Sequence, residues 1–186
     1  MTAPLWTPGA ERIAHAQITR FMVYVNERYS AGVGPRYFSL HDWAVANPES
    51  FWSAVWDFCG VVAGEKGDAV LADGDQFPGA RWFPQARLNF AENLLRCRED
   101  RPALVSLLEN GDRRVLSYTG LYDKVAQLAA ALRDHGVVAG DRVAGFMPNI
   151  DETVVAMLAA ASIGALWSSC SPDFGINGVM DRFGQI

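Results

Sequence analysis

Between Ala103 and Cys170 the chain alternates short apolar runs with segments whose apolar residues recur at helical spacing. Ala103–Leu108, Arg142–Met147 and Ala165–Cys170 have strand length, and glycines or polar turns bound them. Asn110-Gly111-Asp112 is a hairpin-type turn after which Val115-Leu116-Ser117 can return antiparallel. Ser117 stands where an N-cap is needed, and Leu121, Val125, Leu128, Ala129 and Leu132 then mark one helix face, with Gly136 as its stop. Asn149-Ile150-Asp151-Glu152 has capping-box spacing with Asn in place of Ser or Thr, and it predicts a helix over 150–163 stopped by Gly164. Short strands alternating with helices predict an α/β fold built on a parallel sheet with right-handed crossovers.

The first half is written differently. It holds five of the six tryptophans, Trp6, Trp43, Trp52, Trp56 and Trp82. Thr7-Pro8 is a plausible cap and first-turn pair, and Ala14, Ile18, Phe21, Met22, Val25 and Tyr29 predict one long amphipathic helix ending before Gly32. Asn47-Pro48-Glu49 predicts a second start, with Phe51, Val55 and Phe58 on its inner face. Trp52 and Trp56 form a neighbouring stripe, which at this spacing reads as packing rather than a ligand platform. Residues 65–79 are Gly- and Asp-rich and end in Phe77-Pro78-Gly79, a surface excursion closed by a turn. Arg81–Leu95 then leads from an aromatic anchor into a short helix. The expected fold is therefore a helical N-terminal region followed by the beginning of a parallel-sheet domain.

Half of the 186 residues are hydrophobic and a fifth are charged, which is the balance of a folded chain. A net charge of -5 without a Lys/Arg cluster excludes a nucleic-acid binder, since phosphates need a basic face. Cys59, Cys97 and Cys170 lie far apart, so neither a disulfide framework nor a zinc site is indicated. The start MTAPLWTPGAERIAH has no secretory pattern, and the uncharged stretch 153–172 is broken by Gly164 and reads as helix plus strand rather than a membrane span. A cytoplasmic protein without membrane or nucleic-acid partners is expected.

Ligands of open parallel sheets gather at the carboxyl ends of strands, which directs attention to Pro148-Asn149 and to Ser171-Pro172-Asp173-Phe174-Gly175. Ser168, Ser169, Cys170 and Ser171 lack a GxSxG elbow and a nearby histidine, so no nucleophile is expected there. His15, His41 and His135 are scattered without metal-ligand spacing. Asp151 and Glu152 read as first-turn acids that stabilise a helix. Neither GxxxxGK[ST] nor GxGxxG occurs, so no phosphate cradle, catalytic residue or metal ligand is assigned.

Several of these segments together resemble the adenylate-forming superfamily of acyl- and aryl-CoA ligases. Ser117-Tyr118-Thr119-Gly120-Leu121 is similar to that family's early helix start, Gly140-Asp141-Arg142-Val143-Ala144 to its turn into a central strand, and Ala161-Ser162-Ile163-Gly164-Ala165 to a helix-to-strand junction. The Phe51-Trp52 helix and the segment Trp82–Leu95 resemble the N-terminal cap of acetyl-CoA synthetase-like enzymes. Trp167–Gly175 with Asp181–Ile186 looks most like the branch of the superfamily that activates acetoacetate. Two departures stand out: Gly120 replaces the usual acidic residue, and Gln85 replaces a usual glycine.

The resemblance implies residues 1–98 as cap and 99–186 as the first part of the AMP-dependent ligase domain. It implies a whole enzyme several times longer, an acid–thiol ligase that converts acetoacetate to acetoacetyl-CoA through an acyl-adenylate, using ATP, CoA and Mg²⁺. The phosphate loop, the metal ligand and the catalytic lysine would lie beyond this chain, so the chain alone is expected to be inactive and to bind none of these groups tightly. Ser171, Pro172, Asp173 and Phe174 are expected to line the acyl or CoA side of the site. The same fold acting on acetate or propionate, a non-catalytic interaction module and an unrelated α/β binding domain are the alternatives.

Overall fold

A computed structural model describes residues 5–186; residues 1–4, where the sequence was read as lacking a leader, lie outside them. The chain forms two compact units, Met1–Arg87 and Leu88–Ile186. The segment 88–98, which the sequence reading grouped with the cap, is thus packed with the second unit.

In the first unit the expected long helix is two, α1 (Ala10–Ala14) and α2 (Gln17–Tyr29), and the cap of α1 is Gly9 rather than Thr7. The break lies at Ala16, whose backbone is extended at φ -66°, ψ 140°. A side chain takes up one of the carbonyls near the break, as the Thr19 hydroxyl donates to the Ile13 oxygen at 2.6 Å. Helix α1 buries nothing, whereas α2 buries Phe21, Met22 and Val25 along one stripe. Ser30 ends α2 in the left-handed region, and the Asn26 amide then holds Val33 through both its backbone groups at 2.8 Å.

Helix α3 (Tyr37–Ala46) has no counterpart in the sequence reading. Its apolar residues Tyr37, Phe38, Leu40, Trp43 and Val45 are spread around the axis, so no single stripe announces it. Helix α4 (Pro48–Phe58) begins with proline in the first turn as expected. Asn47 stands at the N-cap of α4 as expected, but its side-chain amide turns back to the Trp43 carbonyl at 3.0 Å and closes α3, making no side-chain bond to α4.

Phe21 of α2 meets Phe51 and Phe58 of α4 edge-on, with ring centroids 5.8 and 5.1 Å apart. Such pairs add about 0.5–1.5 kcal/mol beyond burial. The neighbouring stripe packs on the following segment, Trp52 against Trp82 and Trp56 against Phe83. The surface excursion carries a small antiparallel pair, β1 (Leu71–Ala72) with β2 (Arg81–Trp82). Gln85, at the position where the resembled enzymes carry glycine, accepts the backbone N–H groups of Asp68 and Ala69, both at 3.1 Å, and so staples this excursion.

The second unit contains α5 (Phe90–Leu94), β3 (Pro102–Leu107), β4 (Arg113–Ser117), α6 (Tyr118–Asp134), β5 (Arg142–Phe146), α7 (Asp151–Ser162), β6 (Leu166–Cys170) and α8 (Ile176–Phe183). Strands β3 and β4 form the expected antiparallel hairpin, and β5 and β6 pair in parallel from Arg142↔Leu166 to Phe146↔Cys170. The expected sheet is therefore divided: the hairpin and the parallel pair are separate two-stranded sheets, and the only parallel pairing among the described residues is β5–β6. Helix α8 was also not anticipated.

Ser117 caps α6 by accepting the Gly120 N–H at 3.2 Å, so the cap forms without the acidic partner that Gly120 replaces. Asn89 caps α5 and also donates to the Ala161 carbonyl at 2.9 Å, tying α5 to the end of α7. Leu95, Leu121, Val125, Ala129, Val155 and Leu158 make the core between these helices. Gly136 and Gly164 adopt positive φ of 85° and 79° where α6 and α7 stop.

Candidate functional site

The loops after β5 and β6 converge as strand-end loops of a parallel pair should. Pro148, Asn149 and Ile150 follow β5, Ser171, Pro172 and Asp173 follow β6, and together with Leu107–Asn110 at the tip of the β3–β4 hairpin they line one open cleft of about 730 Å³. Both loops singled out in the sequence thus face one space. Its third wall, the hairpin tip, was read only as a turn.

The loop after β6 is held from within. The Ser171 hydroxyl donates to the Asp173 carboxylate at 2.7 Å and accepts the Asp173 N–H at 3.3 Å, while the Phe174 N–H reaches the Ser171 carbonyl at 3.1 Å. Phe174 lies under the Arg182 guanidinium of α8, 3.8 Å from the ring centroid. Of the four residues singled out in this loop, Ser171, Pro172 and Asp173 line the cleft. At the hairpin tip the Asn110 side chain donates to the Asp112 carboxylate at 2.7 Å and accepts the Asp112 N–H at 3.0 Å.

The loop after β5 departs from expectation. Ile150, not Asn149, is the cap of α7, and it offers no side-chain bond to the helix. The turn is closed instead by the Thr153 hydroxyl, which donates to the Pro148 carbonyl at 2.6 Å. Asp151 and Glu152 occupy the first turn of α7, as read from the sequence, and meet a cation the sequence did not flag. Arg114 bonds both oxygens of Glu152, at 2.7 and 3.2 Å, and one oxygen of Asp151 at 3.1 Å. Asp151 is 6% exposed and also accepts from the Ser106 hydroxyl at 3.1 Å. Burial acts to raise its pKa, but the Ser106 hydroxyl, its own backbone N–H and the Arg114 charge together hold it below the usual carboxylate value.

Among the described residues that line the cleft, the charged side chains are acidic, Glu109 and Asp173. Such a lining suits uncharged or hydrogen-bond-donating groups and disfavours phosphate. Cys170, at the end of β6, is buried, and no base stands in the cleft beside Ser171. Among the described residues no group of three or more His, Cys, Asp or Glu side chains could hold a metal ion, and no helix is long and apolar enough to cross a membrane.

A strand–helix–strand unit with its loops gathered at one end, preceded by an aromatic helical region, defines the class. Residues 90–183, just over half of the chain, match the AMP-binding enzyme family, and the chain belongs to it. Residues 37–94 match the acetyl-coenzyme A synthetase N-terminus. The acetoacetyl-coenzyme A synthetase of Rhizobium meliloti (strain 1021) is 48% identical over 183 residues, which is 98% of this chain and 28% of that protein. A malonamoyl-CoA synthetase of Penicillium aethiopicum is 35% identical over 189 residues, 98% of this chain and 26% of its own length. The solved acetoacetyl-CoA synthetase from Streptomyces lividans superposes with a TM-score of 0.92 at 45% identity, over 100% of this chain and 29% of that one. The resemblance read from the sequence is borne out, and the chain spans little more than a quarter of the length of these relatives.

Proposed function

We propose that this chain is the N-terminal part of an ATP-dependent acid–thiol ligase acting on acetoacetate. In that reaction an acetoacetate carboxylate oxygen attacks the α-phosphorus of ATP and pyrophosphate leaves. The thiol of CoA then attacks the acyl carbon of the adenylate, loses its proton and expels AMP. Adenylation supplies the leaving group that a free carboxylate lacks. The support is the extent of the likeness: 45–48% identity to two proteins named acetoacetyl-CoA synthetase, over 98% or more of the chain. A relative named for malonamoyl-CoA points the same way, since malonamate and acetoacetate share a carbonyl group β to the carboxylate, which acetate and propionate lack.

In this reading residues 1–98 are the cap in sequence, with its last segment 88–98 folded into the second unit, and residues 99–186 begin the ligase domain of a cytoplasmic enzyme. Ser171, Pro172 and Asp173 line the acyl or CoA side, with Phe174 as the anchor beneath them. The described residues offer no cluster fit for Mg²⁺, so no step is assigned to the metal here. In the full-length synthetase Asp173→Ala should raise the KM for CoA or for acetoacetate about fivefold, because it frees the Ser171 hydroxyl and loosens the loop. Unchanged values for both would remove the loop from the site. Competition of acetoacetate against acetate and propionate tests the acyl class, and a preference for acetate would refute it.

A further inference from the structure

The hairpin wall of the cleft shares no backbone ladder with the parallel pair that carries the other two walls. Something other than sheet hydrogen bonding must set its distance. Ser106 on β3 and Arg114 on β4 are direct cross-strand partners, and both reach Asp151 Oδ1 at 3.1 Å. Arg114 also forks onto Glu152, and the Lys124 ammonium of α6 stands 3.9 Å from Asp151 Oδ2. Asp151 directly follows Ile150, a residue of the cleft, and Ser106 directly precedes Leu107, another. The ties of Ser106 and Arg114 to Asp151 therefore each have an end a single residue away from a cleft wall, and Glu152 is two residues from Ile150.

Resting on the reading of the cleft above, we infer that Ser106, Arg114, Asp151 and Glu152 form a clamp that fixes the hairpin wall against the β5–α7 loop, making Arg114 a positioning residue for the ligand held there. The parts on either side of the clamp are stiff. The hairpin tip is closed by Leu108 N–H to Asp112 O and Gly111 N–H to Leu108 O, both 2.9 Å, and the opposite loop by Thr153 on Pro148. A guanidinium that bridges two carboxylates fixes orientation as well as distance, which an ammonium cannot do. Loss of the bridge should therefore widen the cleft and weaken what it grips, without touching groups bound elsewhere.

The test is steady-state kinetics of the full-length synthetase with Arg114→Ala, Arg114→Lys and Asp173→Ala. Arg114→Ala should raise, by about tenfold, the same KM that Asp173→Ala raises, and leave the KM for ATP within about twofold. Arg114→Lys should fall between, since one ammonium can satisfy one carboxylate but not fork onto both. An effect of Asp173→Ala without one of Arg114→Ala overturns the clamp alone; no effect of Asp173→Ala overturns the cleft reading and the clamp with it. A uniform fall in kcat with all KM values unchanged also overturns it. Should Arg114→Ala fail to fold, Glu152→Gln, altering a half-exposed side chain, removes one arm only; it should raise that KM about threefold, and an unchanged KM refutes the clamp.

Discussion

Replacing Leu158 by alanine tests the core on which the strand-end loops rest. Leu158 is 2% exposed and shares its core with Leu95, Leu121, Val125 and Val155, and with the small residues Ala91, Ala129 and Ala159. Removing its isopropyl end, three carbons, forfeits roughly 2.4 kcal/mol of transfer free energy at about 0.8 kcal/mol per carbon group. Alanine neighbours have no side chain that could swing into the gap, so a cavity remains and adds to the loss. A total of about 3–4 kcal/mol is expected, within the roughly 2.7–5 kcal/mol measured for such changes elsewhere. In urea unfolding followed by circular dichroism, with a slope near 2 kcal/mol/M, the midpoint should fall by about 1.5–2 M. Leu107→Ala is the control, since Leu107 is 77% exposed and its loss should cost within about 0.5 kcal/mol. A Leu158→Ala loss below about 1 kcal/mol would refute the packing of α5, α6 and α7 described above.

Gly145→Ala should loosen the parallel pair, because a Cβ at Gly145 would fall on the Trp167 ring, with Cζ2 at 2.7 Å, and force it aside. The expected loss is about 1–3 kcal/mol in the same unfolding assay, and a neutral substitution would show that Trp167 does not lie there. Asp151 supplies a pH test. A carboxyl whose folded pKa is depressed stabilises the fold above its unfolded pKa of about 3.9 and loses that contribution as pH falls through the folded value. The difference in urea midpoint between the wild type and Asp151→Asn should therefore be flat from pH 8 to about 5 and shrink only below about 4. A difference that vanished by pH 6 would mean that Arg114, Lys124 and Ser106 do not hold the ionised form.

What could be read from the sequence was what short-range chemistry determines. Ser117, Gly136 and Gly164 marked helix ends because capping and left-handed conformations are decided by a few adjacent atoms. Asn47 marked the start of α4, but its amide served the end of α3 instead of the new helix, and at Asn149 the helix began one residue later than capping-box spacing placed it. The single helix expected from Thr7 onward failed at Ala16, where no glycine or proline announces a break. Helix α3 escaped because its apolar residues surround the axis. The clamp was illegible for a different reason. Ser106, Arg114 and Asp151 are separated by strand and helix, and only the register Ser106↔Arg114 and the placement of α7 bring them together. Alternation on β3 and β4 could have put Ser106 and Arg114 on one face, but not told which carboxylate faced them.

The charge of the cleft bears on how the proposed reaction is shared along a longer chain. ATP, pyrophosphate, acetoacetate and CoA all carry negative charge, and adenylation needs that charge stabilised by cations or aimed N–H groups. The strand-end loops present here offer Glu109 and Asp173 and no basic side chain, while Arg114 is spent on two carboxylates. Phosphate groups placed against this wall would be repelled. Under the proposed function the wall would suit an uncharged stretch of a ligand, such as the amide-bearing arm of CoA that precedes its thiol, and the stabilisation of phosphate charge would fall to residues outside this wall. On this argument Asp173→Asn, which keeps the loop's hydrogen bonds but removes its charge, should disturb CoA binding less than Asp173→Ala does.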